Sequence, residues 1–448
     1  MTQAAWRDDM DRAPERDPGR ERPDRPVHVC TACSLLCDDV VPAGGVLAAA
    51  CAAGQAVWSA SLASSAGGKS ARVDGRDVSW EEGLDRAAAL VTAARRVLVS
   101  GLRDAPLDAI TAACDLAEAC GAAVDGGDAE AARLSGDVLA RVGRVTAEWD
   151  ELRDRADLVV LWWCDPAVSH PRFLERFVLP PLPGGQRRTI AVGTAPVLPR
   201  GAHHLHVQLA PDTAVNAARA LHGLLAGPPT AAHVPPDLGR LLDPVHRAID
   251  SAKAVAFVTS PTADATGLVT WSVASLVRAL ALSRVAFEIP LPRHAIGGGA
   301  NAVGAAAVCT WRYGSAGAIS RADRHGARSL PGEDDAERLV GRGEVDCVVA
   351  VGGLPEALET AIASRGHDLS VVRLGADASP RHETGVFLRV PPPLVTQSGA
   401  MLRGDGRWVD LGGTATSPRP DPLCETVRGL LDRVARRGPR RPFGGVTA

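Results

Sequence analysis

Cys30, Cys33, Cys37 and Cys51 fall within 22 residues, spaced C-x2-C-x3-C-x13-C. A chain with such a group must either bring four thiols to one point or bury them separately. Thiolates hold iron–sulfur clusters, and a cluster needs four of them converging. Zinc also takes four thiolates, in a tetrahedron. Zinc sites more often show two separated C-x2-C knuckles. The x3 gap and the distant fourth cysteine favour a cluster, with zinc the chemical competitor. Four small buried hydrophobes are the plain alternative.

The chain has 448 residues, too many for one core, so two or three domains are expected. Hydrophobic residues make up 46% and charged residues 23%, an ordinary globular composition. A net charge of −3 gives no argument for nucleic acid or a membrane surface. There is no run of about 18 apolar residues and no secretory leader pattern, so no membrane span is expected. Cytoplasm is the default, where the ten cysteines stay reduced and open to metal.

Residues 1–26 mix prolines with charges of both signs and are expected to be disordered. Residues 27–68 form the cysteine-rich segment, with little periodicity, as a small domain held by local ligation. Trp80 opens a helix running to about Ala94, with Ser79 and Glu82 as a capping box. Short Val/Ile/Leu runs then recur at Val97–Val99, Leu158–Trp162, Thr189–Val192, Leu205–Leu209, Val255–Val258, Val285–Ile289, Cys347–Val351 and Val371–Leu374. Helical patterns lie between many of them, at Leu107–Cys120 (ended by Gly121), Asp212–Leu225 and Ser272–Leu282. Such alternation means α/β architecture with parallel sheets covered on both faces. The expected fold is a small cysteine-rich cluster domain followed by two doubly wound, mainly parallel domains. One is discontinuous, 69–125 and 290–430; the other spans 126–289. Residues 226–245 read as a proline-rich connection, Gly297–Gly304 as a glycine loop, and 431–448 as a frayed basic tail. Ligands would bind at the carboxyl ends of the strands, where strand order reverses.

Several stretches together resemble the molybdopterin oxidoreductase family. They are the cysteine segment with Asp38-Asp39, and the strand-loop Leu158 to Arg172 containing Asp165-Pro166-Ala-Val-Ser169-His170-Pro171-Arg172. The loop Gly299-Ala-Asn301-Ala-Val-Gly304-Ala and the segment Ser398 to Gly406 follow in order. Over roughly residues 27–415 the resemblance is to B subunits of formylmethanofuran dehydrogenase. It implies a 4Fe-4S cluster on Cys30, Cys33, Cys37 and Cys51. It also implies tungsten or molybdenum on molybdopterin guanine dinucleotide near Asp165, Ser169, His170, Arg172, Asn301 and Gly304. The implied partners are subunits A, C and D, and the reaction interconverts carbon dioxide or formate with a formyl group on methanofuran.

The departures are informative. The stretch Val124–Gly136, where the family carries a metal-ligating Cys-His pair, has neither residue. Trp163 stands where a small residue lets backbone approach phosphate, and Asp165 replaces an expected Asn. A carboxylate repels an anion. Gly352-Gly353-Leu354-Pro355 lacks a polar residue before its proline. These losses match a second branch, the B subunit of the bacterial formyltransferase/hydrolase complex of tetrahydromethanopterin-linked formaldehyde oxidation. The resemblance then implies a redox-silent scaffold and a vestigial pterin site, with no catalytic residue in this chain.

Other residues have plainer readings. His170 is either a structural hydrogen-bonder or a ligand. His203, His204 and His206 lie on a strand, and alternation puts only His204 and His206 on one face. Cys114, Cys120, Cys164, Cys309, Cys347 and Cys424 read as buried hydrophobes.

Overall fold

The structure, a computed structural model, describes residues 28–65, 69–127, 129–182, 185–193, 198, 204–228, 230–260, 266–292, 298–320, 326–376, 385–412 and 421–438. The expected disordered head, residues 1–26, lies outside them. Among the described residues no helix is long and apolar enough to cross a membrane.

Each of the eight apolar runs forms a strand, and the strands divide between two sheets. The five-stranded sheet has the order Val285–Pro290, Ala254–Thr259, Leu158–Trp162, Arg188–Gly193, His204–Gln208, all parallel. Parallel strands must be covered on both faces, because their connections carry the chain over them. Leu158, Val160 and Trp162 point to one face, among helices Ala214–Ala226, Pro236–Ser251 and Leu268–Ala281. Val159 and Leu161 point to the other, against Trp149, Phe173, Phe177 and the cysteine segment. The cysteine segment therefore shares its core with this sheet. It is not held by local ligation alone.

That segment is also more regular than its sequence suggests. It contains the hairpin Val41–Ala43 with Val46–Ala48, and a helix, Ala52–Ser65. The helix has a weak apolar stripe, since its buried residues are Gly54, Trp58 and Ser61.

The nine-stranded sheet draws on residues 70–124 and 319–389. Its middle is parallel: Ala123–Val124, Val97–Ser100, Cys347–Val351, Ser370–Gly375 and Val386–Arg389. Both margins are antiparallel, with Ser70–Val73 and Arg76–Val78 on one side and Ile319–Ser320 and Arg328–Ser329 on the other. The sheet is thus mixed. The margins escaped the sequence reading because strands of two to four residues carry no measurable alternation. Strand order reverses between Val97–Ser100 and Cys347–Val351. Val97 and Val99 pack with helices Trp80–Ala93, Leu107–Cys120 and Pro422–Arg436, while Leu98 packs with Ala336–Gly341 and Glu356–Arg365.

Two expectations are corrected. The proline-rich connection ends in helix Pro236–Ser251. Pro236 sits in the first turn, where its missing N–H costs nothing, and a buried stripe of Leu242, Val245, Ala248 and Ile249 offsets Pro244 in the interior. The basic tail begins inside helix Pro422–Arg436, which packs on Leu107–Cys120 through Leu423, Val427, Leu430 and Val434.

Asp421 caps that last helix, accepting the amides of Leu423 at 3.4 Å and Cys424 at 3.0 Å. Burial pushes its carboxyl up to about 6 from 3.8, against those two amides. A raised carboxyl in the folded state favours folding at low pH, and the gain is lost as pH rises through about 6. Asp421→Asn keeps a capping oxygen and removes the buried charge. Urea unfolding should find it about 2–3 kcal/mol more stable than the native chain at pH 7.5, with the difference gone by pH 4. A difference independent of pH would refute this account.

Candidate functional site

Cys30, Cys33, Cys37 and Cys51 line one cavity, with Leu35 and Arg172 among the walls. The enclosed space is small, about 10 Å³. The loop that carries three of the thiols closes on itself: the Cys30 amide donates to the Cys37 carbonyl at 2.9 Å, and Leu36 N–H to Cys33 O at 3.2 Å. Leu36 takes a left-handed φ of 44°, a strain of about 1–2 kcal/mol for a non-glycine residue. Complete burial of its side chain, about 1.5–3 kcal/mol, offsets that. Cys51 comes from the head of helix Ala52–Ser65 and accepts the Gly54 amide at 3.4 Å. A Cβ on Gly54 would stand 3.2 Å from the Cys30 sulfur, so glycine here lets the helix approach the loop.

The sulfurs are set up to carry charge only if something positive joins them. Burial pushes Cys30 up to about 11 and Cys33 up to about 12, and repulsion from neighbouring thiolates adds to both. Cys37 is also raised by burial, while Arg176 and Arg172 pull it the other way. The Ala32 and Leu35 amides and the Arg176 guanidinium oppose that rise at Cys30, Cys33 and Cys37 respectively. Backbone N–H···S bonds of this kind tune clusters. Among the described residues no group of three or more His, Cys, Asp or Glu closes tightly enough for a single metal ion. A four-iron cubane holds its thiolates farther apart than one tetrahedral ion does. Four thiols line one hollow, and one of them, Cys51, accepts the Gly54 amide.

Arginines fasten this loop to the sheet. Arg172 binds Asp39 through two parallel bonds of 2.8 and 2.7 Å, and Glu175 at 2.8 Å. Arg176 bonds Asp39 at 2.9 Å and also Asp38. His170 is buried, its Nε2 hydrogen-bonded to Ser34 Oγ at 2.7 Å and its Nδ1 to Ser169 Oγ at 2.8 Å. Its ring meets Trp149 edge-on at 5.7 Å. Asp165 caps the short turn Pro166–Ser169 by accepting the Ala167 amide at 2.9 Å. Asp165, Ser169, His170 and Arg172, which the resemblance placed near a pterin, thus all have structural partners within the chain.

So does Asn301 in the glycine loop, of which Gly297 lies outside the described residues. Asn301 is fully buried; its amide group donates to Ala105 O at 2.6 Å and accepts from Leu402 N–H at 2.8 Å. Gly304 is needed beneath it, since an added Cβ would lie 2.1 Å from Asn301 Oδ1. The Gly299 and Ala300 amides precede helix Ala302–Tyr313, a position suited to an anion. Asp104 fills it: its Oδ1 accepts both, at 2.6 and 2.9 Å. Burial raises the Asp104 carboxyl, and the two amides oppose that rise.

The strand ends themselves are closed. A Cβ on Gly101 would stand 3.2 Å from Gly353 O, and one on Gly352 2.9 Å from Gly101 O, at the point where strand order reverses. In the other sheet Trp163 follows Leu158–Trp162 with a left-handed φ of 45°. Its ring lies 4.9 Å from that of Trp162, and its Cα would be 3.5 Å from a Cβ on Gly193. Residues 129–141, covering most of the stretch that lacks the Cys-His pair, are helical.

Asp104, Gly54 and Arg176 escaped the sequence reading. Asp104 is 195 positions from Gly299, and no local spacing links them. His203 lies outside the described residues; His206 Nε2 bonds Gly193 O at 3.1 Å. Cys114, Cys120, Cys164, Cys309, Cys347 and Cys424 are buried in the cores.

No family model and no curated protein matches this chain. Among solved structures it is similar to a chain of the formyltransferase/hydrolase complex from Methylorubrum extorquens, crystallised with methylofuran. The TM-score is 0.62 and the identity 20%, over 82% of this chain and 99% of that one. The likeness is one of fold.

His170→Phe would keep the ring contact with Trp149 and leave the buried Ser34 hydroxyl unpaired. Stability should fall by about 1–3 kcal/mol, and amide exchange should rise across residues 30–37. A variant as stable as the native chain, with unchanged exchange, would mean His170 does not hold the cysteine loop.

Proposed function

We propose that this chain is the redox-silent, structural B-type subunit of a formyltransferase/hydrolase complex in one-carbon metabolism. Its partners are A, C and D subunits of that complex, and its role is to scaffold formyl transfer between carriers such as methanofuran and tetrahydromethanopterin. The fold likeness to a chain of such a complex supports membership. The observation that carries the redox-silent reading is Asp104 on the amides before helix Ala302–Tyr313. A dinucleotide phosphate needs those donors, and an internal carboxylate holds both. Trp163 and the close-packed glycines Gly101 and Gly352 support the same reading at the two strand-end crevices. The pterin group does not fit these residues, and no chemical step runs through it here.

A second reading is a working formylmethanofuran dehydrogenase-type subunit. It is favoured by the four thiols around one hollow. Cys30, Cys33, Cys37 and Cys51 would hold a 4Fe-4S cluster, which supplies one-electron transfer when bound. The chain's own part is to donate the Gly54 amide to Cys51 and to hold the loop through Arg172 and Arg176 on Asp39.

Metal analysis and a visible spectrum, taken anaerobically on the full chain with whatever co-elutes, separate the two. The expected result is iron with broad cluster absorbance, abolished by Cys37→Ser, and no tungsten or molybdenum. Stoichiometric tungsten or molybdenum would overturn the redox-silent reading. Purification as a lone monomer with no co-eluting subunit would overturn the complex.

A further inference from the structure

A second hollow lies between helix Ala214–Ala226 and the segment from Thr230 to Leu238, far in sequence from the cysteines. Its volume is about 650 Å³. Asn216, Arg219 and His222 recur at three-residue steps, so the helix turns them toward one side. His233 and Thr230 face them from the opposite wall. Val234, Pro235 and Leu238 supply an apolar part of the lining. Gly223 sets the width: a Cβ there would stand 2.9 Å from Val234 Cγ2, so the two walls meet at their base through glycine.

The charges are one-sided. The lining includes an arginine and two histidines and no carboxylate. Arg219 makes no ion pair among the described residues, although the chain has 52 acidic residues. Asp237, beside the apolar wall, pairs with Arg240, while Asp212 at the head of the helix makes no ion pair among the described residues. A concave site with a few convergent polar groups over an apolar wall is the usual form of a small-molecule site. A guanidinium presents a planar fork that matches a phosphate or carboxylate.

We propose that this hollow binds a small organic oxyanion. Arg219 takes its phosphate or carboxylate group between His222 and His233, Asn216 and Thr230 orient it, and its carbon part lies on Val234, Pro235 and Leu238. The site is independent of the cysteine cavity and of the function proposed above.

Calorimetric titration of the full chain, with inorganic pyrophosphate and with citrate, tests this. At least one anion should bind with Kd below about 1 mM. Binding of pyrophosphate alone would assign the phosphate class, and of citrate alone the carboxylate class. Arg219→Ala should weaken that binding about tenfold or more, and Asn216→Asp should do the same by setting a carboxylate against the anion. Both side chains are exposed, so the melting temperature should not move. The proposal is overturned if neither anion binds at millimolar concentration. It is equally overturned if both variants bind as the native chain does.

Discussion

The bidentate pair between Arg172 and Asp39 joins the two parts of the molecule that the site needs. Asp39 ends the cysteine loop, and Arg172 ends the turn that follows a central strand of the five-stranded sheet. Both side chains of a bidentate pair must be correctly oriented, so the pair fixes angle as well as distance. Asp39 is partly exposed, and its energy is correspondingly screened. The buried contacts around it hold the loop more strongly. His170 reaches Ser34, Leu35 and Cys37 enter the aromatic core, and Gly404 N–H donates to Ser34 O at 2.8 Å. Gln397 closes the other edge, bonding both backbone groups of Val29 at 2.8 and 3.0 Å. The cysteine loop is thus built into the molecule from both sides.

A related economy appears at the helix starts. Asp104 takes the amides before Ala302–Tyr313, Asp125 takes the Ala336 amide at 2.8 Å, and Asp421 takes two amides of the last helix. Each is a place where a fold of this kind has donors to offer an anion. Here an internal carboxylate accepts them, at the cost of burying its charge. That cost explains why Asp104 and Asp421 are both raised. A site closed in this way cannot be reopened by removing a surface loop, because the blocking group is part of the core.

How much of this was legible follows from range. The central strands were readable because fully buried parallel strands need unbroken apolar runs. Helix Leu107–Cys120 was readable to the residue, since Gly121 closes it with a left-handed φ of 62°. The cysteine spacing named its own cavity. What failed was non-local. Nothing in Asp104 or Gly54 announces what lies against it, and the prolines of residues 226–245 concealed a helix whose signal is a buried stripe starting at Leu242. The Ser-His-Pro-Arg stretch was visible as a motif, but its two readings, ligand or brace, differ only in whether Ser34 stands beside the ring.

The sheet topology sets a timetable for synthesis. Val97 pairs with Cys347, about 250 residues later, while the five-stranded sheet is complete by residue 290. At bacterial or eukaryotic translation speeds that interval is roughly 10–50 s. Throughout it, the fully buried strand Val97–Ser100 has one edge without its neighbour. An uncovered edge of that kind is a template for pairing with another chain. The inserted sheet therefore forms first on the ribosome, and the long wait at Val97 makes the larger sheet the part of this protein most exposed to misassembly before release.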